Sequence, residues 1–430
     1  MSPERTTDVL VVGGGPAGAT AAVLLAEAGI AVSVVECATF PRFHVGESLL
    51  PHTLPLLDRL GVAQAVAELP HTRRKEGASF FTPAGDRRIA YWFDQAAPPA
   101  ITHSYQVRRD EFDLLLLDRA RAAGAEVLSG WKAVGPVWEG NRLTGARLHD
   151  PGGYETTFHA RVLLDASGQS AFVANKMGWR FPYPKHRRIA VFGHYNGVEA
   201  LPGREGGNIA VILTDGGWTW VIPFADGSAS VGVVVDLARR EGRESAPDLF
   251  QRVVASAPEA ARRIAGAEAL SPVSSCQSFS YRVMHMAGDG YCLLGDAAGF
   301  LDPVFSSGVF IATTTAASAA QDVIEGLARH PRLEANDFAP TVTLARSLQR
   351  LFFSLVRSYY NPHFLAFFFA PSPALGIPPA LISLLAGDVL GPGRWRRIAR
   401  YRALLGLAAV QAIGTRWGRP LVEPLPGMRP

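Results

Sequence analysis

Lysine is scarce in this chain. Of its 42 Lys and Arg residues, the lysines are Lys75, Lys132, Lys176 and Lys185. An amine can shed its proton and act as a nucleophile, which a guanidinium cannot. Where Arg supplies generic positive charge, a retained Lys is a candidate for chemistry of its own. The plainer reading of Lys75 is a solvated member of the basic run Arg73-Arg74-Lys75; burial would favour the other reading, by lowering the amine pKa towards reactivity. A second constellation is Ser306-Ser307-Gly308, which follows Pro303 and Phe305 and opens the segment SSGVFIATTTAASAAQDVIEGL. Backbone N–H groups at such a helix start suit an anion, although either Ser could simply cap the helix. Cys37, Cys276 and Cys292 are scattered, without CxxC or His-rich spacing. Neither a metal site nor a disulfide framework is expected, and a reducing cytoplasm fits.

Elements must hold these groups in place. The segment DVLVVGGGPAGATAAVLLAEAGIAVSVVE reads as strand, Gly-rich turn, helix, strand. Gly13, Gly15 and Gly18 form GxGxxG, with Pro16 and Ala17 opening the helix. Glu36 closes the second strand, about 20 residues after the motif, where an acid binds a ribose hydroxyl. The glycines alone are a weak signal in a chain with 43 of them. Their strand–helix context is what predicts a dinucleotide site. Further pieces return later. Arg109 in YQVRRDEFDLLLLDRA is placed for phosphate or ribityl. Asp165 and Gly168 lie in a strand followed by a small-residue turn, VLLDASGQS. Asp296 ends the strand in GDGYCLLGDAAGF. These separated pieces resemble the FAD-binding fold of flavoprotein monooxygenases of the hydroxybenzoate hydroxylase type.

Three stretches narrow the resemblance: FPRFHVGESLLP, RRKEGASF and FLDPVFSSG. With GGWTWVIP they resemble the flavin-dependent halogenases, closest to those of phenols and pyrroles. WxWxIP is matched by Trp218, Trp220, Ile222 and Pro223, and FxxPxxSxG by Phe300, Pro303, Ser306 and Gly308. The resemblance implies FAD, arriving as FADH2 from a separate flavin reductase, with O2 and chloride or bromide giving hypohalous acid. It implies that Lys75, before a Gly-Ala pair, is the catalytic lysine, and that Ser306, Ser307 and Gly308 bind halide. HVGESLL is expected to pack near the flavin, where Glu47 and Ser48 either bind the cofactor or stabilise the loop, with Pro303 and Gly308 also at the cofactor. On a strand Trp218 and Trp220 share one face, and the resemblance makes them a channel wall keeping an organic substrate from the flavin. Tryptophan halogenases carry Glu where this chain has Phe305, which argues against free tryptophan and for an activated phenolic or pyrrolic ring. A flavin hydroxylase or a prenyl reductase of similar fold would leave Lys75 and the Trp pair unexplained; a halogenase-like flavoprotein that binds FAD without turnover is a third reading, since motifs report ancestry better than activity.

The predicted class is an α/β composite. A discontinuous Rossmann-like FAD-binding domain (1–60, 100–180, 280–345) carries a β-rich substrate domain (61–99, 181–279) and a C-terminal helical region (346–430). The last region is dense in Phe, Leu and Pro, and reads equally as packing or as a lid over an aromatic ligand. Pro362, Pro371, Pro373, Pro378 and Pro379 interrupt its uncharged stretch, so no transmembrane helix is expected. The start of the chain runs straight into a strand, with no signal peptide. A net charge of +4 is too small for nucleic-acid binding unless concentrated. Arg394, Arg396, Arg397, Arg400 and Arg402 do crowd one segment, and could meet an acidic carrier protein bearing the substrate.

Overall fold

The computed structural model describes residues 4–184, 186–242, 244–277, 279–300, 302–371, 376–417 and 419–425; Lys185 and Pro373 lie outside these. Strand β1 (Glu4–Val12), helix α1 (Pro16–Glu27) and β2 (Val32–Glu36) form the expected unit. They are followed by β3 (Arg73–Lys75), β4 (Gly77–Phe81), β5 (Arg88–Trp92), β6 (Ser104–Gln106), α2 (Arg109–Ala122), β7 (Glu126–Ser129), β8 (Lys132–Glu139), β9 (Arg142–His149) and β10 (Glu155–Asp165). After the short β11 (Arg180–Pro182) come the longer β12 (Arg188–Asn196), β13 (Ile209–Thr214), β14 (Gly217–Pro223) and β15 (Ala229–Asp236). The chain ends in helices α3 (Gly308–Arg329), α4 (Ala339–Tyr359), α5 (Pro362–Phe369), α6 (Ile377–Leu385) and α7 (Arg394–Arg416).

Two large sheets divide these strands. In the first, β7, β2, β1, β10 and the strand Tyr291–Leu293 run parallel in that order, with the β8–β9 hairpin paired onto β10. Val9, Leu10, Val11 and Val12 are buried because helices cover this sheet, which is why β1 reads as an apolar run rather than an alternation. The second sheet runs β12–β15–β14–β13–β4–β5. Its neighbours are antiparallel except for β13 on β4. The β14–β15 turn uses Asp226-Gly227, with Gly227 at φ +87°, as a tight hairpin requires.

The faces of the second sheet have different partners. Ile212, Val231 and Val233 pack with Leu249 and Phe250 of the helix Ala246–Ala255. Phe80, Val211, Trp218, Trp220 and Val234 instead share a core with α4 to α7 and the turn around Val304 and Phe305. The C-terminal helices therefore seal the inner face of this sheet. Proline sets where α5 and α6 begin, with Pro362 and Pro378 in their first turns, where a missing N–H costs nothing.

Candidate active site

At the nucleotide end, each glycine of the motif has its own duty. Gly13 has φ +108°, and a Cβ there would lie 2.3 Å from the Ala166 carbonyl oxygen. A Cβ on Gly18 would sit 1.8 Å from the Gly13 carbonyl oxygen. Gly15 is the N-cap of α1 with no side-chain cap, and a Cβ there would meet only the tip of Arg42, at 3.4 Å. The uncapped helix start beside Gly15, Pro16 and Ala17 is therefore the open cradle, and the other two glycines are demanded by packing. Glu36 accepts hydrogen bonds from the Gly14 and Ala38 amides, both at 2.8 Å. Asp165 is spent on its own turn: it accepts from Ser167 N and Oγ and, at 2.8 Å, from Val173 N. Space around Gly168 is open. Arg109 is buried in a bidentate pair with Asp113 (2.6 and 2.8 Å) and donates to the Val45 carbonyl, which ties down the segment before Glu47. Burial pushes the Asp296 carboxyl up to about 7, with Arg109 opposing. No described residue donates a hydrogen bond to it. The uncapped α1 start, the open turn at Gly168 and the unpaired Asp296 carboxyl fit a dinucleotide laid across the ends of β1 and β10.

Lys75 lies deeper. It is the last residue of β3, paired with Ser104 of β6, and only 1% of its surface is exposed. Its Nζ donates to Ser48 Oγ (2.6 Å) and to the Leu49 carbonyl (3.0 Å), and stands 5.6 Å from the centre of the Phe93 ring. Among the described residues no carboxylate pairs with it. Burial alone lowers its pKa to about 7, so the neutral amine is well populated near neutrality. Glu47, next to Ser48, bonds His194 Nε2 at 2.6 Å, while its second oxygen is buried without a partner.

Lys75 and Ser306 line one small cavity of about 20 Å³, room for roughly one water-sized occupant. Phe80, Tyr91, Phe93 and Phe305 make its walls, and Ile382 and Leu385 of α6 complete them. Opposite Lys75, Pro303–Phe305 forms a 3-10 turn capped by Asp302, and Ser306 follows at φ +57°. Neither serine caps α3 with its side chain, and the space a Cβ on Gly308 would enter is empty. The N-terminus of a 22-residue helix thus starts without a side-chain cap and with open space at Gly308, an arrangement that suits an anion.

Trp218 and Trp220 are both buried on β14, ring centres 5.5 Å apart. Neither lines the Lys75 cavity. Trp220 donates to Ser230 Oγ at 3.1 Å and packs against Gly232 of β15; a Cβ on that glycine would come within 2.2 Å of the indole. Trp218 donates to the Tyr360 hydroxyl at 2.9 Å.

The FAD binding domain family matches residues 6–335. A 1H-pyrrole-2-carbonyl-[peptidyl-carrier protein] brominase of Pseudoalteromonas luteoviolacea is 32% identical over 336 residues, 76% of this chain and 80% of that protein. The chain belongs to the flavin-dependent halogenases. A tryptophan 2-halogenase of Chondromyces crocatus is 33% identical over 329 residues, but this chain covers only 62% of its length. Among solved structures, the myxobacterial chondrochloren halogenase CndH is 30% identical with a TM-score of 0.77, covering 83% of both chains. The flavin-dependent brominase Bmp2 is 26% identical with a TM-score of 0.83, covering 95% of this chain and all of that one.

Within this halogenase the wall residues Phe80, Tyr91, Phe93, Ile382 and Leu385 carry no motif; they read as ordinary apolar residues until strands and helices meet. Arg397 leaves the basic cluster, being buried and paired with Asp388 at 2.7 Å. Arg394, Arg396, Arg400 and Arg402 remain exposed. Among the described residues no cluster of His, Cys, Asp and Glu could hold a metal, and no helix is long and apolar enough to cross a membrane.

Proposed function

We propose that this chain is an FADH2-dependent halogenase of an electron-rich phenolic or pyrrolic ring. A single observation carries the reading: a buried, uncompensated amine shares one small apolar cavity with the serine turn at an open helix N-terminus. Bound FAD, reduced by a separate flavin reductase and oxidised by O2, supplies the oxidising power for chloride or bromide. The chain's own residues do the rest. Amides of Ser307 and Gly308 hold the halide near the cofactor. The neutral Lys75 amine takes the halogen: an N–X bond forms, the O–X bond of hypohalous acid breaks, and the amine proton leaves with hydroxide as water. The ring then takes the halogen from nitrogen and returns a proton to it. Ser48 and the Leu49 carbonyl keep the amine aimed into the cavity, and apolar walls exclude water that would otherwise compete. Trp218 and Trp220 stiffen the sheet behind the site and keep an organic ring from the flavin. Phe305 puts no carboxylate beside the lysine, which leaves reactivity to the ring.

The substrate rides on an acidic carrier protein, which meets the exposed arginines of α7. The relatives named for pyrrole-2-carbonyl carrier substrates support this, as does the position of α7 against α6, whose residues close the cavity. The test is incubation with FAD, flavin reductase, NADH and bromide against free and carrier-bound phenols and pyrroles, read by mass spectrometry for the halogen isotope pattern. Lys75→Ala is expected to bind FAD and make no halogenated product. Wild-type product from that variant would overturn the assignment, and oxygenated rings without halogen would make the protein a hydroxylase.

A further inference from the structure

We infer that Tyr360 is a positioning residue that locks the C-terminal helices onto the halide-binding turn. The inference rests on the halide reading of Ser306–Gly308 given above. Tyr360 follows the last residue of α4, outside every motif of the family resemblance. Its hydroxyl donates to Asp302 Oδ2 at 2.6 Å and accepts from Trp218 Nε1 at 2.9 Å. The Arg188 guanidinium stacks 3.5 Å over the centre of its ring. One phenol thus joins the starts of β12 and β14, the end of α4 and the residue that caps the serine turn.

Asp302 shows why that junction reaches the site. Its Oδ1 accepts from Val304 N at 3.1 Å and starts the turn Pro303–Phe305. That turn ends at Ser306 with φ +57°, a backbone state that a non-glycine residue holds only where its surroundings impose it. Asp302 is buried, and its nearest cation is no substitute for the phenol. Arg188 Nε stands 3.7 Å from Oδ2 and has no hydrogen-bond partner. The Tyr360 hydroxyl makes the short side-chain hydrogen bond to this carboxylate, with the Trp218 indole N–H and the Arg188 guanidinium beside it. Without it, a buried carboxylate loses a charge-assisted bond and the turn loses its brace against the sheet. The amides of Ser307 and Gly308 lose their fixed direction with it.

Tyr401 offers the comparison. Its hydroxyl also lies in the C-terminal helices, bonding Ser354 (2.9 Å) and Ser358 (3.0 Å), but it touches no part of the turn. The experiment titrates FAD-loaded protein with sodium bromide and follows the flavin difference absorption, so no substrate is needed. Tyr360→Phe and Asp302→Asn are expected to bind bromide about tenfold more weakly, and Tyr401→Phe to lower Tm while keeping bromide affinity. Asp302→Asn retains an acceptor for Val304 N and carries the test if Tyr360→Phe does not fold. Wild-type bromide affinity in both variants overturns the inference. So does an equal loss in Tyr401→Phe, since general loosening would then explain the effect. A wild-type protein that neither responds to bromide nor halogenates any ring sinks the halogenase reading itself, and this inference with it. Halogenation by the wild type, with unchanged bromide affinity in both variants, sinks the inference alone.

Discussion

Lys75 shows how little of a residue's chemistry lies in its type. The same amine at the surface would be an ordinary cation; sealed against Phe93 without a carboxylate, its pKa falls to about 7. Two measurements follow. Attack on the halogen needs the unprotonated amine, so halogenation is expected to rise with pH through about 7; a rate that falls there would make Lys75 a hydrogen-bond donor instead. Stability should report the same shift. Between about 7 and the unperturbed 10.5, the unfolded chain binds a proton at Lys75 that the folded chain does not. Stability therefore climbs with pH across that window, and the cost of the buried amine is fully present below it. A series of Tm values from pH 6 to 10 should show that climb in the wild type and a flatter line in Lys75→Met. Parallel lines would mean that the folded amine stays protonated.

At the scale of elements, β14 and β15 form the rigid plate behind the site. Trp220 fits because Gly232 opposite it has no side chain. Gly232→Ala is expected to destabilise by about 1–3 kcal/mol in denaturant unfolding, from overpacking. Trp220→Phe in the same chain should restore part of the loss, as touching residues are coupled. If Gly232→Ala costs nothing, the sheet has slack and the indole is not wedged. The pair was legible in the alternation of Trp218 and Trp220 on a strand. Their partners were not, because Gly232, Ser230 and Tyr360 come from a neighbouring strand and a distant helix.

Across the whole molecule, the halogenase closes its site with helices from the end of the chain. The sequence of that region reads equally as packing or as a lid; the structure puts Ile382 and Leu385 in the cavity wall. Helix α7 carries six arginines and no acid. Of these Arg397 serves the fold: Arg397→Ala would leave Asp388 buried and unpaired, a loss of about 3–5 kcal/mol. In the proposed function the exposed Arg396, Arg400 and Arg402 meet the carrier protein. Changing these three to Glu should slow turnover of a carrier-bound ring, in a salt-dependent way, and leave a free phenol unaffected. An equal rate on the carrier-bound ring would remove α7 from the interface.

The sequence by itself determined what depends on neighbours along the chain. GxGxxG needs a strand before it and a helix after it, and all three are local. The serine turn needs only a proline and a small-residue helix start, and Lys75 was marked by its rarity among arginines. Tertiary structure decided what depends on distance through space. It buried Lys75 against Ser48 and Phe93, set Ser306 across a cavity from it, and took Arg397 out of the basic face. It spent Asp165 on its own turn and brought Tyr360 to Asp302 across 58 positions of chain. Burial and hydrogen-bond partnership are properties of packed elements, and apolar residues such as Phe80 or Leu385 acquire a role only from what faces them.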